Sequence, residues 1–279
     1  MSDTSADTRV GLGASARQAQ AQAMETCCPV IELRQYVMKP GRRDDLIALF
    51  EEHFIEGQET YGMRIIGQFR NRNHPDQFVW MRGFADMEAR RKALEGFYGG
   101  PIWKEHRTAA NDTMIDSSKV LLLKPARAAS GLRLDPADRP TMDAKGLAGG
   151  VIIATIYSFD APVDAKFVDF FETDIAPALR GAGATLLGHF VTEPSENTFP
   201  QLPVREGEHV FVWLASFAAD AAYAAHQIAL TKSQAWIKSL VPALKVWLSK
   251  PVEVLELAPS RRSLLRHRSA QESADVAPQ

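Results

Sequence analysis

Cysteine is almost missing from this 279-residue chain: Cys27 and Cys28 are the only two, and they are neighbours. Two thiols cannot build a zinc cage or a disulfide framework, and adjacent ones seldom bridge. The pair is therefore expected to be free, in a reducing, cytoplasmic compartment. No run of eighteen apolar residues occurs, which excludes a membrane-spanning helix. An excess of positive charge is missing too. The 32 Lys and Arg against 34 Asp and Glu give a net charge of −2 and a pI of about 6.4, so no basic field invites nucleic acid or an anionic membrane. The chain has no Gly-x-Ser-x-Gly elbow, phosphate-cradling glycine loop or His-Glu-x-x-His, and its histidines are scattered. No metal and no cofactor is expected on these grounds. What remains as a partner is a small organic molecule, with self-association into a homo-oligomer left open.

The chain does repeat itself. Gly62-x-x-Ile-Ile-Gly-x-Phe69 recurs as Gly183-x-x-Leu-Leu-Gly-x-Phe190, an offset of 121. Phe78-Val-Trp-x-x-x-Phe-Ala85 recurs as Phe211-Val-Trp-x-x-x-Phe-Ala218, and Trp103 as Trp236, an offset of 133. The added residues fall in Glu193 to Glu208, where Pro194, Pro200, Pro203 and Gly207 mark an inserted loop. The helical stripe Leu46, Leu49, Phe50, His53, Phe54, Gly57 becomes Phe167, Phe170, Phe171, Asp174, Ile175, Ala178 at the first offset. The same apolar face in the same register implies the same element twice.

Each half reads β-α-β-β-α-β. Alternation predicts strands at Val30–Val37, Arg64–Arg70, Gln77–Phe84 and Val120–Leu123, then at Val151–Ser158, Thr185–Val191, His209–Phe217 and Val252–Leu257. Asp86 is a candidate N-cap, and Gly99-Gly100-Pro101 breaks the helix that follows it. The fold class implied is α+β: two tandem ferredoxin-like βαββαβ repeats packed as an intramolecular α+β barrel. Residues 1–28 read as a disordered leader, 29–125 as the first domain, 126–149 as a linker, 150–259 as a diverged second domain and 260–279 as a disordered tail.

Alternation in the first strand sets Ile31, Leu33 and Val37 against Glu32, Arg34 and Tyr36. If the aliphatic set lies under the helices, the polar set faces the space between the two sheets. Trp80 and Arg82 would join it there, with Gln68 and, from the second half, Tyr157, His189 and Trp213. Arg34, Tyr36, Gln68, Trp80, Tyr157, His189 and Trp213 are thus the ligand-binding candidates. The tryptophans serve equally well as core filler, and Arg34 could simply pair with Glu32. For proton transfer the candidates are Tyr36, His106 and His189. No nucleophile–base pair stands out, so whether the chain is an enzyme stays open.

Glu32-Leu-Arg-x-Tyr36, Lys39-Pro-Gly41, Phe78-Val-Trp80, Phe97-Tyr-Gly-Gly-Pro-Ile-Trp-Lys-Glu-His-Arg107 and Val120-Leu-Leu-Leu-Lys-Pro125 together resemble the NIPSNAP family. The second half looks like a diverged copy that keeps Tyr157, Trp213 and Trp236. The resemblance implies the dimeric α+β barrel superfamily, whose members include cofactor-free monooxygenases and isomerases. It implies no specific reaction. Two functions are therefore expected to compete: small-molecule binding between the sheets, with oxygenase- or isomerase-type chemistry, and a non-catalytic interaction or assembly module.

Overall fold

The computed structural model describes residues 26–267 apart from 145, 147 and 148. Eight strands run through it: β1 (Val30–Met38), β2 (Arg64–Asn71), β3 (Gln77–Phe84), β4 (Met114–Pro125), β5 (Val151–Phe159), β6 (Thr185–Thr192), β7 (His209–Phe217) and β8 (Glu253–Pro259). Every expected strand is present, and β4 starts six residues earlier than its apolar run. Helix α1 follows β1 as Arg43–Leu49, a π-helical turn at Phe50–Phe54, and Ile55–Glu59. Helices α2 (Met87–Gly99) and α3 (Pro101–Asn111) connect β3 to β4. The Asp86 carboxylate accepts from the Ala89 amide at 2.6 Å, and Pro101 opens α3 where its missing N–H costs nothing. In the second half α4 is Ala165–Phe170, a π turn at Phe171–Ile175, and Ala176–Gly181. Helix α5 is Asp220–Lys232, and α6 is a π turn at Trp236–Leu240 continued by Val241–Lys245. The π turns of α1 and α4 fall at the same offset of 121, so even an irregularity recurs.

All pairings are antiparallel and close the sheet into a barrel in the order β1-β3-β2-β8-β5-β7-β6-β4. Within it the first four strands lie as 4-1-3-2 and the last four as 8-5-7-6. The two sets join at β2–β8, where Phe69 meets Pro259, and at β4–β6, where Leu123 meets Thr192.

One buried cluster takes Ile31, Leu33, Val79, Met81, Leu121 and Leu123 from the first half, with Ile152, Ala154, Val212, Leu214, Leu255 and Leu257 from the second. Drawing alternate residues from strands all round the ring, it is the barrel interior, and it is full. Two further clusters lie between the outer face of the sheet and the helices, one per half.

The segments at either end of the second half are more ordered than their composition implies. In the stretch expected to be a linker, Leu132 is buried and accepts from the Cys27 amide at 2.7 Å, and Arg139 reaches Glu59 at 2.7 Å. In the expected tail, Ser260, Arg262, Ser263, Leu264 and Leu265 are buried, and Arg262 bonds Glu51 and Glu56. Arg139 and Arg262 find partners on α1, Ser260 on β2 and Ser263 on the Leu265 carbonyl, which is what lets such polar segments pack. Residues 1–25 and 268–279 of the leader and tail lie outside the described residues. Cys27 and Cys28 are joined as a disulfide, contrary to the free pair expected, so they give no argument for a reducing compartment. Cys28 is buried against Gly83, and a Cβ at that glycine would overlap the Cys28 sulfur. Gly83→Ala should therefore cost about 1–3 kcal/mol through overpacking, read as a lower urea midpoint with unchanged m-value.

Candidate functional site

Alternation sorts β1 and β3 into the right two sets of residues but on the wrong sides. Ile31, Leu33, Val79 and Met81 point into the barrel, while Glu32, Arg34, Tyr36, Trp80 and Arg82 lie on the outer face, beneath α1, α2 and α3. The reason is room. The interior of an eight-stranded barrel is only wide enough for side chains to fill, and here aliphatics with Phe69 and Phe190 do so. The helices stand further out, and the large aromatic and guanidinium groups occupy that layer. The polar and aromatic candidates of β1 and β3 therefore face the layer between sheet and helices, not the space between the two sheets.

At the centre of that layer is Glu32, with no exposure to solvent. Its carboxylate accepts from Arg34 Nη1 at 2.6 Å and from Arg82 Nε and Arg90 Nε at 2.7 Å each. The expected pairing of Glu32 with Arg34 is thus real, but two further arginines share it. β1 and β3 place Glu32 opposite Arg82 and Arg34 opposite Trp80; Arg90 comes down from the apolar face of α2, beside Ala93, Leu94 and Phe97. Burial opposes ionisation of Glu32, and Arg82, Arg34 and Arg90 outweigh it, so its carboxyl is held well below the usual range. Three guanidinium groups against one carboxylate leave two positive charges in excess.

Those charges are only partly satisfied. Arg82 Nη1 donates to Gln58 Oε1 at 2.9 Å, and Arg90 Nη1 donates to Asn197 Oδ1 at 3.0 Å and Thr198 Oγ1 at 3.1 Å on the inserted loop. Arg34 Nε donates to the Tyr36 hydroxyl at 2.9 Å. Arg34, Arg82 and Arg90 each keep a buried Nη2 with no acceptor, and Trp80 Nε1 is likewise without one. The Arg34 and Arg82 guanidiniums stack on Trp80 at 5.4 and 5.0 Å from its ring. Burial raises the Tyr36 pKa against the opposing pull of Arg34, so the phenol stays protonated.

Tyr36, Gln58 and Trp80 form one side of a cavity of about 90 Å³, closed by Phe50, Phe54, Tyr98 and Trp103 from the helices and by Leu202 from the inserted loop. Phe199 of that loop stacks on Tyr98 with ring centroids 5.8 Å apart. Phe50 and Phe54 bound the π turn of α1, whose extra residue per turn turns both rings toward Phe78, Trp80 and Phe97.

Of the residues expected at a site, Arg34, Tyr36 and Trp80 come together here. Tyr157 and Trp213 line a separate cavity at the corresponding place in the second half. Gln68 sits opposite Trp80 in register, but its amide oxygen meets Ser260 at 3.5 Å and it does not line the Tyr36 cavity. His189 packs on Phe171 and bonds Glu172 at 2.8 Å, and it lines a third cavity of about 370 Å³ with Leu132, Gly188 and Leu265, apart from the other two. His106 stacks on His53 at 3.9 Å on the outer side of α1 and lines neither cavity. Neither histidine therefore shares a site with Tyr36. The sequence reading missed Arg90, Gln58 and the loop residues Asn197 and Thr198. Arg90 did leave a signal: it is the one cation on the 90-93-94-97 stripe that α2 buries. Among the described residues no group of three His, Cys, Asp or Glu side chains could hold a metal, and no helix is long and apolar enough to cross a membrane.

No curated protein is matched by the sequence. Among solved structures the chain is similar to an anthrone oxidase-like protein, 14% identical, with 86% of this chain and 96% of that one covered and a TM-score of 0.46. A NIPSNAP-like domain protein from Burkholderia xenovorans is 24% identical over 39% of this chain and 96% of its own, with a TM-score of 0.35. A NIPSNAP family protein of unknown function from Agrobacterium tumefaciens is 22% identical over 35% and 88%, with a TM-score of 0.33. The NIPSNAP family model matches residues 31–129, the span that carries the whole arginine cluster except its loop contacts.

Proposed function

We propose that the chain is a pair of fused NIPSNAP-like units, 29–125 and 150–259, and that the first binds a small organic anion between its sheet and its helices. The observation that carries this reading is the buried excess of positive charge. Three arginines set around one carboxylate keep unpaired Nη2 donors, and two of them contact Tyr36 or Trp80, which line an aromatic cavity. Each unpaired buried guanidinium donor costs its desolvation, a cost that a ligand oxygen would offset. A carboxylate or enolate would answer both the charge and the vacant donors. Arg34 and Arg82 would hold it, Glu32 would keep the arginines spread in place, and Trp80, Phe50 and Tyr98 would take the apolar body.

Tyr36 gives the site its chemistry. Its oxygen takes the Arg34 N–H, so its own O–H is left to donate. A donor fixed in a buried site beside cations stabilises negative charge developing on a substrate oxygen, the requirement of a cofactor-independent oxygenase or isomerase. The fusion of like units is supported by the recurring π turns and by matching registers, Arg34 opposite Trp80 in one half and Thr155 opposite Trp213 in the other.

Titration calorimetry of the full chain with benzoate tests the reading. Saturable binding that weakens with salt is expected, with benzamide, its neutral analogue, at least about tenfold weaker, as for loss of one charge-assisted contact. Equal affinity for both compounds would sink it. In Arg34→Gln the preference for benzoate should fall by a similar factor.

A further inference from the structure

We propose that the second half holds a distinct site for an uncharged, largely aromatic small molecule that carries a hydrogen-bond-accepting carbonyl. The position corresponds to the first cavity, and the chemistry is reversed. At the repeat offsets Glu32 becomes Ile153, Arg34 becomes Thr155, Gln58 becomes Leu179, Arg82 becomes Ala215 and Arg90 becomes Tyr223. The strand registers agree with that alignment: Ile153 sits opposite Ala215 and Thr155 opposite Trp213, just as Glu32 sits opposite Arg82 and Arg34 opposite Trp80. Every member of the ion cluster is replaced by an uncharged residue, whereas Tyr157, Phe171, Trp213 and Trp236 keep the aromatic frame.

The consequence is space. Losing three arginines, a glutamate and a glutamine opens a cavity of about 300 Å³ lined by Thr155, Tyr157, Leu179, Trp213, Trp236 and Leu244. That is the lower bound of ordinary small-molecule sites and over three times the first cavity. No formal charge is buried in it: Lys245, on the lining, is exposed. Trp213, 6% exposed, carries an Nε1–H with no acceptor in hydrogen-bonding geometry. Burial pushes the neighbouring Tyr157 phenol up to about 12, against a small opposing pull from the nearby Trp213 indole, so it too remains a neutral donor. The lining therefore offers aromatic faces with neutral polar groups, Trp213, Tyr157 and Thr155 among them, which suits a ketone or quinone better than an anion.

The uncharged naphthyl ketone dye prodan is the probe. Full-length protein should bind it saturably with blue-shifted emission. Trp213→Phe keeps the ring and removes the donor, so affinity should fall about tenfold, the worth of one buried hydrogen bond. Val254→Trp should abolish binding: Val254 lines the cavity, is 41% exposed, and a larger ring there fills the space without disturbing the core. Thermal midpoints close to wild type check that both variants fold. No saturable binding, or unchanged affinity in both folded variants, would overturn the proposal. The site is independent of the anion site: both dye results stand whether or not benzoate binds the first half.

Discussion

Glu32→Gln should destabilise the protein by at least about 3–5 kcal/mol, the usual effect of removing one partner from a buried charge network. The substitution preserves volume and one oxygen but deletes the only negative charge among three fully buried arginines. Their mutual repulsion is then opposed by nothing nearby, since Arg90 finds only neutral oxygens on Asn197 and Thr198 and Arg82 only Gln58. Set against a total stability of order 5–15 kcal/mol, this is a large fraction, and urea denaturation at neutral pH should show it as a sharply lower midpoint. Acid should produce the same effect in the wild type. The folded carboxyl lies below its ordinary value of 4.5, so its contribution is complete above that pH and is lost as pH falls below it. Glu32→Gln should therefore flatten the stability profile between about pH 5 and pH 2. A variant as stable as wild type at pH 7 would show that the arginines do not depend on Glu32.

The strands, the repeat and the inserted loop were legible because they are written in period and offset. The site was legible only in part. On β1 and β3 both faces are buried, one by the opposite wall of the barrel and one by helices, so neither set of alternating residues carries the polar mark of a solvated face. Period two then separates Ile31 and Leu33 from Glu32 and Arg34 but cannot say which set faces in. Charge was a misleading guide, because Arg34 and Glu32 satisfy one another beneath the helices. Volume was the better clue: Trp80, Arg34 and Arg82 together need more room than a barrel interior already filled by Ile31, Leu33, Phe69, Phe190 and their neighbours leaves. The packed segments 126–144 and 260–267 were missed for a different cause. Their contacts are side-chain hydrogen bonds to distant carboxylates, Arg139 to Glu59 and Arg262 to Glu56, which leave no local periodicity.

Converting the first site to the pattern of the second should be far milder than the single change at Glu32. The variant combines Glu32→Ile, Arg34→Thr, Gln58→Leu, Arg82→Ala and Arg90→Tyr, the residues found at 153, 155, 179, 215 and 223. Removing the whole network restores hydration that the buried ions had given up, a change typically neutral to stabilising by about 1–4 kcal/mol. The space left by the shortened side chains costs about 2–5 kcal/mol on the scale of large-to-small core substitutions. The two nearly cancel, so the fivefold variant should lie within about 2 kcal/mol of wild type in urea, more stable than Glu32→Gln although it carries four more changes. Benzoate binding should vanish, and a second equivalent of prodan should bind where the arginines stood. The second half supports the expectation, since it already folds around Ile153, Thr155 and Ala215 with an open cavity. If the fivefold variant unfolded as readily as Glu32→Gln, the arginine cluster would be a structural keystone, and its vacant Nη2 donors would lose their claim to a ligand.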